Sequence, residues 1–125
     1  KDRTYFEGGT AGKSPIVDVK TKEDRDRLIR SASLVIIDNY TQWCAPCQQI
    51  AWNYEQLAIE ETYPNICIFG KEDIELNIDR HGLPQITSVP CFHFFVNGQL
   101  VEQVVGADMK EVRKNISMLK PKRGT

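Results

Sequence analysis

The run PCFHFFVNGQLVEQVVG, from Pro90 to Gly106, constrains the fold more tightly than any other part of the chain. Two stretches rich in β-branched and aromatic residues flank Asn97-Gly98, the dipeptide favoured in a two-residue hairpin turn because both positions tolerate positive φ. The last two strands must therefore be adjacent and antiparallel. The earlier sequence alternates instead. PIVDV reads as a short strand and TKEDRDRLIRSA as a helix, with Thr21 as N-cap and acids in its first turn. SLVIIDNY is nearly continuous in apolar residues, the pattern of a central strand covered on both faces. Ile50, Trp52, Tyr54, Leu57 and Ala58 predict an amphipathic helix ending near Tyr63 and Pro64. NICIFGKEDI gives a further strand and ELNIDRHGL a short helix or turn. ADMKEVRKNISMLK closes the chain as a helix, with Met109, Val112, Ile116 and Leu119 on one face. Alternation followed by a hairpin implies an α/β fold with a mixed sheet and helices on both sides.

A chain of 125 residues fits one domain. We read residues 1–14 as a flexible Gly-rich arm, 15–120 as the domain and 121–125 as a basic, solvated tail. With 41% hydrophobic and 26% charged residues, the composition excludes general disorder and a membrane span. A net charge of −1 provides no field for nucleic acid. No nucleic-acid or membrane partner is expected, and a monomer suffices. The segment AGKS ends like a phosphate-binding loop, but Glu7 stands where that loop needs glycine, so nucleotide binding there is rejected.

The chemistry lies in DNYTQWCAPCQQI, Asp38 to Ile50. A Cys-x-x-Cys pair can be half of a zinc site, a redox dithiol or chance. Structural zinc needs four ligands, and Cys67, Cys91, His81 and His93 offer no second pair at a suitable spacing. Position favours redox chemistry. Between a buried strand and a helix, Cys44 sits at the helix N-terminus, where unpaired N–H groups and the macrodipole stabilise a thiolate and make it nucleophilic. Pro46 suits a first helical turn and stiffens the loop between the sulfurs.

WCAPC preceded by VIIDNYTQ and followed by SVPCFHFFVNGQLVEQVVGA resembles the thioredoxin family, from about Ile16 to Leu119. The resemblance implies a thioredoxin fold, with a mixed five-stranded sheet flanked by four helices, and dithiol–disulfide exchange with protein disulfides. No cofactor is implied; the electron donor would be a thioredoxin reductase or glutathione. In the implied mechanism Cys44 attacks and Cys47, expected to be the more buried thiol, resolves the mixed disulfide. Asp38 takes the proton of Cys47 and Lys71 tunes that transfer. Trp43, Ala45, Pro46, Val89, the cis-proline Pro90 and Gly106 form the substrate surface.

Several residues depart from the family pattern. Ala45 replaces the usual glycine and Gln48 a frequent cation, so the potential is its own. Trp52 stands at a position often taken by a helix-kinking proline. Cys91, directly after Pro90, is a candidate third redox thiol or a small buried residue. Cys67 is expected in the core, and the histidines as packing and surface residues. The sequon asparagines are Asn39 and Asn115, of which Asn39 is too close to the core to carry a glycan. A cytoplasmic protein-disulfide reductase is the leading expectation. Because the chain begins at Lys1, organelle targeting stays open. A secretory oxidant or isomerase fits Ala45-Pro46 poorly. A redox-silent or specialised partner-binding module is the alternative, and it would not need Cys44, Cys47, Asp38 and Pro90 together.

Overall fold

A computed structural model of the chain describes residues 13–76 and 80–121. The expected arm and tail lie outside them apart from Lys13, Ser14 and Pro121. Five strands form one sheet: β1 (Val17–Val19), β2 (Leu34–Tyr40), β3 (Cys67–Asp73), β4 (Cys91–Val96) and β5 (Gln99–Val105). Their order is β1-β3-β2-β4-β5. The β1–β3 and β2–β3 pairs are parallel, and the β2–β4 and β4–β5 pairs antiparallel. The continuous apolar run of β2 thus occupies the centre, as its composition predicts. Asn97 (φ 51°) and Gly98 (φ 83°) make the hairpin turn with both residues at positive φ, the type I′ geometry that matches strand twist.

Three α-helices are found among the described residues: α1 (Lys22–Ile29), α2 (Ala45–Glu61) and α3 (Met109–Leu119). Thr21 caps α1 by accepting the Asp24 N–H. Where a fourth, short helix or turn is expected, the described residues form turns, one closed by Leu83 N–H on the Arg80 carbonyl. Residues 77–79 lie outside the described residues. None of the helices described is long and apolar enough to cross a membrane.

Strand alternation sends Leu34, Ile36, Phe69, Phe92 and Phe94 to one face, where Ile50, Tyr54 and Leu57 of α2 and Val112 and Ile116 of α3 cover them. Each such large side chain, fully buried, contributes about 1.5–3 kcal/mol. Trp52 is not on that face: it lies two residues past Ile50, more than half a turn round the helix, and is 64% exposed. The opposite face packs Val35, Ile37 and Phe95 against Leu28 of α1. At Gly70 a Cβ would collide with the Leu28 side chain, so glycine is what lets α1 sit this close. This second layer is not wholly apolar. Arg25, Asn39, Glu72, Cys91 and His93 are all buried, and alternation places the strand residues among them on the α1 side.

Candidate active site

The break between β2 and α2 builds the site. Cys44 is the N-cap of α2, and its Sγ accepts the Cys47 N–H at 3.1 Å. Pro46 occupies the first turn without losing a helical hydrogen bond. Cys44 and Cys47 form a disulfide across this turn, with Cα atoms 5.3 Å apart. In the dithiol state the same N–H group and the helix dipole stabilise a Cys44 thiolate.

The two sulfur-bearing residues meet different cavities. On one side a groove of about 480 Å³ is lined by Trp43, Cys44, Ile74, Glu75, Ile86 and Val89. On the other a cavity of about 330 Å³ is lined by Asp38, Tyr40, Cys47, Gln48 and Lys71. Cys47 was expected to be the more buried thiol, yet in the disulfide form Cys44 is 3% and Cys47 5% exposed. What separates them is the cavity each residue lines, the groove for Cys44 and the Asp38 cavity for Cys47.

Asp38 ends the apolar run of β2, buried and in register with Lys71 of β3. Burial pushes its carboxyl up to about 7, against the opposing pull of the Lys71 ammonium. Its Oδ1 has no hydrogen-bond partner within the described residues, and the residue lines the same cavity as Cys47. Trp43 stands 68% exposed on the groove, its indole N–H donating to Glu75 Oε2 at 2.8 Å. Val89–Pro90 is cis, and the Val89 carbonyl lies 3.6 Å from Cys44 Sγ. Gly106 (φ 101°) donates its N–H to the Pro90 carbonyl at 2.8 Å, joining the two loops at the rim. Gln48 turns its amide to the Gln42 carbonyl, so no cation stands at that position, and Ala45 is exposed in the first turn of α2.

Other candidates fall elsewhere. Cys91 is buried on the α1 side, its Sγ 3.6 Å from Gln103 Oε1, and burial pushes its thiol up to about 11. Cys67 lies in the core, pushed up to about 12 by burial. His93 is buried and His81 exposed. Both sequon asparagines, Asn39 and Asn115, are buried. Sequence reasoning missed Glu75, which sits in a turn and gains its role only from Trp43, 32 positions away. No local pattern announces such a pair.

The thioredoxin family model matches residues 16–118. A thioredoxin of Geodia cydonium is 37% identical over 101 residues, covering 78% of this chain and 92% of that one. The solved structure of Fasciola hepatica thioredoxin superposes with a TM-score of 0.76 at 31% identity, covering 84% of this chain and 100% of that one. A structure described for the thiol resolving mechanism of a yeast mitochondrial 1-Cys peroxiredoxin through glutathione/thioredoxin systems matches with a TM-score of 0.75 at 26% identity, covering 86% of this chain and 100% of that one. Fold, dithiol and relatives agree: the chain belongs to the thioredoxin family and is a thiol–disulfide oxidoreductase, a protein-disulfide reductase, of the Cys44–Cys47 type.

Proposed function

We propose that Cys44 is the attacking thiolate and Cys47 the resolving thiol. The Cys44 thiolate attacks one sulfur of a protein disulfide, a mixed disulfide forms and the other substrate sulfur leaves as a thiolate. Asp38 accepts the proton of Cys47, whose thiolate attacks Cys44 Sγ. The second substrate sulfur leaves, the substrate has gained two electrons and the Cys44–Cys47 disulfide remains. Lys71 favours the charged form of Asp38 and so tunes this transfer. Trp43, Ala45, Pro46, Val89, Pro90 and Gly106 form the surface for an extended substrate segment, with the Val89 backbone as its partner. The observation that carries this reading is the opposite placement of the two functions: the capped Cys44 borders the groove, while Cys47 shares a cavity with a buried acid.

Residues 15–120 are the unit that carries the activity, with 1–14 and 121–125 flanking it. Reducing power comes from a thioredoxin reductase or glutathione, and the compartment is the cytoplasm; a likeness to a yeast mitochondrial thioredoxin keeps an organelle as the second choice. Cys91 stands outside the cycle in the native fold, since burial disfavours its thiolate. Intact mass after mild oxidation checks this: an adduct or cross-link at Cys91 in the folded protein would make it a third redox thiol.

The test is dithiothreitol-driven reduction of insulin. The wild type accelerates it, Cys44→Ser falls to the uncatalysed rate, and Cys47→Ser stalls as a mixed disulfide on Cys44. A wild type no faster than the uncatalysed control would favour a redox-silent binding module.

A further inference from the structure

Residues 80–90 run from a turn to the cis Val89–Pro90 bond and form one wall of the groove through Ile86, Thr87, Ser88 and Val89. From Gln85 to Val89 the backbone has no helix or strand, so its path depends on how its ends are held. At the first end, Arg80 Nη1 donates to Glu72 Oε2 at 2.6 Å and Nη2 to the Pro84 carbonyl at 3.4 Å. Lys22 of α1 adds a bond from Nζ to the His81 carbonyl at 2.5 Å. At the other end, Asn39 Nδ2 donates to the Cys91 carbonyl at 2.9 Å, one residue past Pro90. Glu72 and Asn39 are register neighbours on β3 and β2, both fully buried. Both holds therefore rise from one level of the sheet, on the face away from the core under α2.

A buried ion pair adds little net stability compared with apolar packing, because both charges lose their water. What such a pair supplies is fixed geometry. Removing Arg80 leaves the Glu72 carboxylate compensated, since Arg25 Nε lies 3.8 Å from it. The fold can thus lose this hold without stranding a bare charge. Asn39→Leu keeps the branched shape and heavy-atom count of the side chain and removes its amide, opening no cavity but adding volume at a fully buried position.

We propose that Arg80, seated on Glu72, and Asn39 are positioning residues that hold the Ile86–Val89 wall in place and thereby set the affinity for protein disulfides. This rests on the reading of the Val89 loop as the substrate contact. A protein disulfide lies along the wall, whereas a small disulfide needs only Cys44. The wall's position therefore affects one substrate class and leaves the other alone.

The experiment compares wild type, Arg80→Met and Asn39→Leu in steady-state reduction of insulin, and in the reaction of the pre-reduced proteins with hydroxyethyl disulfide. The expected result is an insulin KM raised about three- to tenfold, with kcat and the small-disulfide rate within about twofold of wild type. Arg80→Lys, which keeps a cation opposite Glu72, restores most of the KM. An unchanged insulin KM in both variants, or an equal loss on both disulfides, overturns the inference. If Arg80→Met does not accumulate as folded protein, Asn39→Leu carries the comparison, with the same expected and overturning results. A wild type inactive on insulin would instead defeat the reading of the groove, a result distinct from a variant that keeps its KM.

Discussion

Asp38 shows how one enclosed carboxyl links stability to chemistry. Its carboxyl is raised from 3.8 to about 7 in the fold, first by burial, so the fold binds a proton more tightly than the unfolded chain. The protonated group therefore stabilises the fold fully below about pH 4, and that contribution is lost as the pH rises through about 7. Asp38→Asn removes the loss. Chemical denaturation at pH 8 should find the variant more stable by about 2–4 kcal/mol, and at pH 4 about equal. The same variant should resolve mixed disulfides more slowly and lose the inflection near pH 7 in its turnover profile. At Trp43, Glu75→Ala removes the acceptor of the indole N–H, and a changed tryptophan emission at unchanged stability is the expected reading. Asp38 was legible as an acid in an apolar run. Arg25 and Glu72 were not, because a charged residue reads as solvent-facing until its distant partner is known, and Arg80 is eight residues from Glu72. Asn39 was read as close to the core, but its bond to the Cys91 carbonyl was not legible.

At the scale of elements, nearly every strand and helix was legible, because local periodicity and turn chemistry already agree with the tertiary fold. Asn97-Gly98 fixed the hairpin, and Thr21 fixed the start of α1. The exception was Trp52, counted with Ile50, Tyr54, Leu57 and Ala58 in the apolar stripe of α2 although its angle on the helix turns it outward. Two contacts between elements were invisible in the sequence. Gly70 admits Leu28 of α1, so Gly70→Ala should cost about 1–3 kcal/mol in urea denaturation, with part of the loss recovered when Leu28 is shortened to alanine. The Tyr54 hydroxyl, buried under the sheet, donates to the Gly70 carbonyl at 2.7 Å, with the Ile36 carbonyl at 3.2 Å. Tyr54→Phe should lower stability by about 1–2 kcal/mol, read from the shift in denaturation midpoint.

For the whole molecule, the four cysteines, all buried, divide by what they border: Cys44 and Cys47 line the two cavities of the site, Cys67 and Cys91 neither of them. Cys67 and Cys91 are enclosed on opposite faces of the sheet, with both thiols raised by burial. After reduction, iodoacetamide should label Cys44 first, whereas Cys67 and Cys91 should react only at the rate of opening, which mass spectrometry across a denaturant series resolves. The separation of the two cavities has a kinetic meaning. On the proposed mechanism, a bulky substrate tethered to Cys44 would cover the groove and leave the far cavity beside Cys47 and Asp38 open to solvent. Water would then exchange with the acid during the lifetime of the tethered complex. Resolution would not wait for the substrate to tilt away, and the expected reading is that the size of the client sets how fast it docks, not how fast it is let go.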